Sequence, residues 1–226
     1  MADISWDEDG VPVSVKFDDP YFSLADGWAE TRHVFINGND LPARWSRGET
    51  PKIAELGFGT GLNFFATVLA YRAAGGTLPL SYMSFEKHPV TRDQGFKALE
   101  PWADLAELAE HFLEGFPPEP GWHTVEQGDV TLTLAIGDAN EMVADYSGVA
   151  DAWYLDGFSP AKNPELWNAT LLEKVAQRTS NCGTFATYTA AGFVRRNLKA
   201  AGFDVERIPG YGRKRHMTRG ILKRSE

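Results

Sequence analysis

With a single cysteine, Cys182, the 226-residue chain can form no internal disulfide and no thiolate cluster for a metal. Beside Asn181 and Gly183, that cysteine reads as a packing residue at a strand start. Nor does any apolar run approach the roughly 20 residues that cross a bilayer. The opening Met-Ala-Asp-Ile-Ser-Trp-Asp-Glu-Asp is acidic where a secretory leader is basic and then apolar, so the expected compartment is the cytoplasm, with no membrane partner. Repeats and low-complexity segments are missing too. Positive charge is scarce overall, the formal net charge being −9, but it is concentrated: residues 195–226 hold ten Lys and Arg against Asp204, Glu206 and Glu226. Such an asymmetry fits either a solvated basic tail or a surface for a polyanion on an otherwise acidic protein.

What the chain does have is Glu55-Leu-Gly-Phe-Gly-Thr-Gly-Leu-Asn-Phe. A short apolar run, Lys52 to Leu56, enters this stretch, and Leu62, Phe65, Ala66, Leu69 and Ala73 leave it at helical spacing. A glycine turn between a buried strand and a helix suits a nucleotide-like ligand, because glycine accepts positive φ and the helix start offers free N–H groups. The spacing Gly57-x-Gly59-x-Gly61 departs from the dinucleotide fingerprint, and Glu55 stands two residues before it. A carboxylate there would repel a pyrophosphate and attract the ammonium and sulfonium of S-adenosylmethionine. A ligand-free glycine connection is the competing reading of the turn alone.

Residues 1–50 show turn formers and aromatics, Tyr21, Phe22, Trp28, Phe35 and Trp45, and no long period; they are expected to cover the sheet end, with a helix over 27–35. Residues 51–226 then form one α/β domain. Leu80 to Glu86 reads as a second strand ending on an acid suited to ribose hydroxyls, which weakens the ligand-free reading. Residues 89–116 look helical, with Trp102, Leu105, Leu108 and Phe112 on one face, before a loop Phe116-Pro-Pro-Glu-Pro-Gly. A third strand from Leu132 closes on Gly137-Asp138-Ala139, where Asp138 can hold an adenine amino group, cap a helix, or both. Val149 to Leu155 is a fourth strand. It leads into a loop with Asp156, Phe158, Ser159 and Lys162, before a helix start at Asn163-Pro164-Glu165. A carboxylate followed by glycine and an aromatic suits an amine that must be held and deprotonated; a turn-capping Asp is the plain alternative. Gly183 to Thr189 gives a fifth strand, followed by a helix over 190–201 with Phe193, Val194 and Leu198 inward, and then an antiparallel pair, 203–208 and 216–222.

Asp19-Pro-Tyr-Phe-Ser, the glycine turn, Leu155-Asp-Gly-Phe-Ser-Pro-Ala-Lys-Asn-Pro, Thr187-Tyr-Thr-Ala-Ala-Gly-Phe-Val-Arg-Arg and Gly212-Arg-Lys-Arg together resemble the methyltransferase domain of bacterial tRNA 5-methylaminomethyl-2-thiouridine biosynthesis proteins. The resemblance implies a class I, Rossmann-like methyltransferase with a seven-stranded, mostly parallel sheet. It implies S-adenosylmethionine as cofactor, no metal, and methylation of the aminomethyl nitrogen on the wobble uridine in the tRNA anticodon loop. Donor binding then falls to Tyr21, Glu55, Gly57, Gly59, Gly61, Asn63, Glu86, Lys87, Asp138, Ala139, Asp156 and Phe158. Asp156 is the expected base. Phe158, Lys162 and Tyr188 are expected at the base being modified, with Arg195, Arg196, Arg213, Lys214 and Arg215 on tRNA phosphates. In relatives the domain is fused to a flavin-dependent oxidase that supplies the substrate; this sequence fits a stand-alone enzyme or one domain of a fusion. Other amine methyltransferases, aminopropyltransferases and non-catalytic adenosine-binding regulators share the cradle.

Overall fold

The computed structural model describes residues 1–23, 26–114, 116 and 119–223. Three short strands open the chain, β1 (Ile4–Trp6), β2 (Pro12–Ser14) and β3 (Asp19–Pro20), as a small antiparallel sheet. Helix α1 (Gly27–Thr31) runs into a π-helical turn over Arg32–Ile36, and α2 (Leu41–Ser46) follows. Then comes the alternation that builds the main sheet: β4 (Ile53–Leu56), α3 (Leu62–Ala73), β5 (Leu80–Glu86), α4 (Arg92–Leu99), α5 (Ala103–Phe112), β6 (Gly121–Gln127), β7 (Val130–Ile136), α6 (Ala139–Asp145) and β8 (Ala150–Leu155). A 3-10 turn over Pro164–Trp167 leads to α7 (Ala169–Gln177), β9 (Thr179–Thr187), α8 (Gly192–Ala200), β10 (Phe203–Pro209) and β11 (His216–Leu222).

The strands lie in the order β10-β11-β9-β8-β4-β5-β7-β6. From β9 to β7 all neighbours are parallel, while β6 on one edge and β11 with β10 on the other run antiparallel. From β4 the chain winds first outward through β5 to β7, then returns to β8 on the other side of β4. The winding therefore reverses between β4 and β8, and the crevice that such a reversal opens lies beyond their carboxyl ends. Both strands are buried on both faces, as continuous apolar runs in a parallel sheet require. One face is covered by α3, α5 and the N-terminal helices, around Phe64, Phe65, Tyr82 and Tyr154; α6, α7 and α8 cover the other, around Phe85, Trp153, Trp167 and Phe185. Among the described residues no helix is long and apolar enough to cross a membrane.

The α/β class holds, with one strand more than expected. Strand β6 alternates half-buried and exposed residues along an edge, and its Trp-His-Thr-Val-Glu has too little apolar content to announce it. The first 50 residues do more than cover: Val34, Phe35, Ile36 and Leu41 are buried in the same cluster as α3 and the sheet, so residue 50 marks no packing boundary. The helical stretch 89–116 is two helices, broken at Pro101, where the ring cannot continue the backbone ladder. Thr91 and Gln94 close a capping box on the first. Asn163 caps nothing; Asn168 accepts the Leu171 N–H at 2.8 Å and starts α7. Phe193 is 37% exposed, while Val194 and Leu198 turn inward. Pro117 and Pro118 of the expected loop, and the last three residues of the basic tail, lie outside the described residues.

Cys182 is not a packing residue. It is exposed, at φ +61°, where β9 bulges away from β8 between the pairs Ala150–Thr179 and Ala152–Thr184. A side chain is disfavoured in that conformation, so Cys182→Gly should raise stability by roughly 0.5 to 1 kcal/mol. Urea unfolding measures this directly, and a midpoint that falls would show the bulge to be relaxed with a side chain in place.

Candidate active site

A cleft of about 920 Å³ opens over the carboxyl ends of β4, β5, β7, β8 and β9. It is at the upper end of the roughly 300–1,000 Å³ usual for ligand sites, large enough for a nucleoside donor and a base together. At its centre two turns meet. Gly57 has φ +83°, and a Cβ there would stand 3.3 Å from the Gly157 Cα, so the turn after β4 and the turn after β8 touch through backbone alone. At Gly59 (φ +54°) the space a Cβ would take is closed by the Tyr21 ring, 3.2 Å away. Its N–H donates to Glu86 at 2.9 Å, and the other Glu86 oxygen accepts the His88 N–H at 2.6 Å. Thus the tip of β5 braces the glycine turn. Burial pushes the Glu86 carboxyl up, with the two N–H groups opposing.

Asp138 follows β7, and of the roles open to it the helix cap is formed. It caps α6 by accepting the Asn140 N–H at 2.8 Å, and it pairs with Lys87 at 2.6 Å. That ammonium holds its carboxyl below the usual range. Lys87, Glu86, Asp138 and Ala139 share the cleft wall.

Across the seam, Asp156 sits at the end of β8. Asn63, one position into the helix after the glycine turn, donates to Asp156 at 2.7 Å and to Glu55 at 2.9 Å, while its own oxygen accepts the Thr31 hydroxyl at 2.7 Å. Ser84 donates to the second Glu55 oxygen at 2.7 Å. Burial in the cleft floor raises the Asp156 pKa from the ordinary 3.8 to about 7, although the Gly157 N–H, Asn63 and Lys214 pull the other way. Glu55 is fully buried beneath the floor and does not line the cleft, so it does not face the ligand as expected. Desolvation pushes its carboxyl well up, which leaves it a poor electrostatic partner for a sulfonium. Its place is to hold Asn63.

The wall beside Asp156 is aromatic. Phe158 stacks on Phe17 at 4.7 Å and meets the edge of Tyr21 at 5.0 Å. Tyr188 donates to the Gly157 carbonyl at 2.8 Å, and Lys214 lies 4.2 Å over its ring while donating to Glu30 at 2.6 Å. Lys162 pairs with Asp18 at 3.1 Å and faces Asp19 at 3.7 Å, and Asp19 accepts the Ser159 N–H at 2.8 Å. Lys162 thereby clasps the N-terminal sheet to the Asp156 loop, and its charge is engaged there, not offered to a substrate. Of the expected phosphate contacts, Arg213 and Lys214 line the cleft; Arg195, Arg196 and Arg215 do not. Phe17, Glu30 and Thr31 also line the cleft, without a motif in the sequence to mark them. They belong to short elements without periodicity, and only the aromatic-rich context around them gave any signal.

Residues 103–223 match the model of a family described as S-adenosyl-L-methionine-dependent methyltransferase. Over 99% of its length the chain is 45% identical to the tRNA 5-methylaminomethyl-2-thiouridine biosynthesis bifunctional protein MnmC of Stutzerimonas stutzeri. Over 96% it is 44% identical to the protein of that name from a Caulobacter species. The match covers 35% and 37% of those proteins, so the chain spans about a third of the length of the curated relatives it matches. The crystal structure of MnmC2 from Aquifex aeolicus superposes with a TM-score of 0.78 at 26% identity, over 100% of this chain and 73% of that one. A spermidine synthase superposes at 0.54 with 11% identity, over 99% and 73%, a likeness of fold alone.

Glu86 and Asp138, expected from the sequence at the ribose and the adenine, both line the cleft. Glu86→Ala and Asp138→Ala should each weaken binding of S-adenosylhomocysteine by about 1 to 3 kcal/mol, the cost of hydrogen bonds lost to a buried ligand. Isothermal titration of both variants checks this; affinities equal to wild type would place the adenosine elsewhere.

Proposed function

Since the chain belongs to the S-adenosyl-L-methionine-dependent methyltransferase family, we propose that it methylates a primary amine: the aminomethyl group at C5 of a wobble uridine or 2-thiouridine in tRNA. The observation that carries this reading is Asp156. It is a carboxylate at the floor of the cleft, fixed by Asn63, between the donor-side carboxylates and an aromatic acceptor wall, with its pKa near neutrality. The proteins MnmC that the chain resembles are named for the same modification, which supports the substrate.

The residues present fit the donor. Glu86 and Asp138 would hold its adenosine and the glycine turn its amino-acid end, and when bound it supplies an electrophilic methyl on a sulfonium. Asp156 accepts a proton from the substrate ammonium, because only the neutral amine has a lone pair to attack with. The methyl would pass to that lone pair as its bond to sulfur breaks, with S-adenosylhomocysteine as the leaving product. Asn63 keeps Asp156 aimed, and alignment supplies much of the rate. Phe158 and Tyr188 flank the uracil, in the manner by which single-stranded bases are read. The amine itself would come from a flavin-dependent oxidase acting on a carboxymethylated precursor, on a separate chain or in the remainder of a longer one.

Asp156→Asn keeps the hydrogen bond from Asn63 and removes the base. Methyl transfer to tRNA from cells lacking this modification should fall by roughly 100-fold or more. In the wild type, kcat/KM should rise with pH as Asp156 loses its proton near pH 7, and the variant should lose that inflection. A normal rate in the variant would make Asp156 structural, and methylation of polyamines in place of tRNA would reassign the acceptor.

Contact with a polyanion must come from the basic segment 195–226, whose turn between β10 and β11 reaches the cleft through Arg213 and Lys214. Neutralising Arg213 and Arg215 together should raise the KM for tRNA and flatten its dependence on salt, as fewer counterions are released, with donor affinity unchanged. A salt slope equal to wild type would place the docking surface elsewhere.

A further inference from the structure

Glu30 stands apart from the residues used so far. It is a carboxylate 8% exposed, on the short helix α1, and it lines the cleft. A carboxylate so buried needs a cation, and the one it has comes from 184 residues along the chain: Lys214 Nζ, 2.6 Å away. The same ammonium lies 4.2 Å from the centre of the Tyr188 ring, so it is held by a carboxylate and a π-face at once. Tyr188 is itself fixed through the Gly157 carbonyl, next to Asp156. Lys214 hangs on a turn that carries Gly212 at φ +57° and is exposed from Gly212 to Arg215, so its side chain can withdraw into solvent without disturbing the core.

We propose that Glu30 and the face of Tyr188 form a subsite for a primary alkylammonium group, and that Lys214 fills this subsite until a ligand amine displaces it. The proposal deepens the amine-methyltransferase reading and rests on it for the reaction, though not for the binding. Exchange is one cation for another. A ligand without an ammonium would leave the Glu30 carboxylate buried and unpaired, so the subsite selects for charge before chemistry begins. Two ligands bring an alkylammonium to this cleft: the aminomethyl group of the acceptor and the α-amino group of the donor. In either case self-occupancy lowers apparent affinity by the fraction of molecules in which Lys214 is seated. Once displaced, the lysine is released at the cleft mouth beside Arg213, where a phosphate would receive it.

The test uses Lys214→Met, which keeps the stem and removes the charge, with Glu30→Gln and the double variant as controls. Ethylammonium chloride, compared with sodium chloride at equal ionic strength, should raise the melting temperature of Lys214→Met. It should do so in neither the double variant nor the wild type. Equal responses in Lys214→Met and the double variant would overturn the subsite, whatever the natural substrate proves to be. The source of the amine is read in two further arms. If it is the donor, Glu30→Gln weakens S-adenosylhomocysteine by about tenfold, the loss of one charge-assisted hydrogen bond, and leaves methylthioadenosine, which lacks the amino-acid end, unchanged. If it is the acceptor, Glu30→Gln raises the KM for aminomethyl-tRNA and leaves S-adenosylhomocysteine alone. Glu30→Gln that matches wild type in both arms overturns the proposal even if Lys214→Met does not fold.

Discussion

Both amide hydrogens of Asn63 are committed to carboxyl groups, one to Asp156 and one to Glu55, and its oxygen is committed to Thr31. In this orientation the amide satisfies all three neighbours, with two N–H groups donated and one oxygen accepting. The group ties four parts of the chain at a single point: α1 through Thr31, α3 through Asn63 itself, β4 through Glu55 and the end of β8 through Asp156. Such a network is stable only when complete, and Ser84 completes it behind Glu55. The raised pKa of Asp156 depends on the same arrangement, since the desolvation that raises it comes from being held in the floor.

The central frame was legible in the sequence because parallel strands buried on both faces must be apolar throughout, and Ile53–Leu56, Leu80–Glu86 and Ala150–Leu155 are nearly so. Asp156, Glu86 and Asp138 were legible for a related reason. Each is the first acid after an apolar run, which puts it at a strand tip. Residues read as isolated charges fared differently. The mouth of the glycine turn was assigned to Glu55, yet period-two geometry in a central strand turns its side chain into the protein, where Ser84 and Asn63 meet it. Lys162, expected at a substrate, meets Asp18, 144 residues earlier in the chain, a pairing no local pattern encodes. Glu30 and Lys214 are 184 residues apart and are joined only once the sheet places α1 beside the turn after β10.

Charge and burial divide the molecule in a way that composition alone obscures. Residues 1–194 are more acidic than the net −9 of the whole chain, while three carboxyl groups of the cleft, Asp156, Glu86 and Glu30, are turned inward and paired there with N–H groups, an amide or an ammonium. Such carboxylates add little to the outer field that a polyanion meets on approach. The exposed turn from Gly212 to Arg215 presents the opposite sign at the cleft mouth.

The contact between Gly57 and Gly157 draws a line through the molecule. On one side β4, β5 and β7 supply the glycine turn, Glu86 and Asp138; on the other β8, β9 and the turn before β11 supply Phe158, Tyr188 and Lys214. Two side chains at the cleft cross that line, Tyr21 by closing on Gly59 and on the Phe158 ring and Asn63 by holding Asp156 from the helix after the glycine turn, so a change at either is felt in both halves at once.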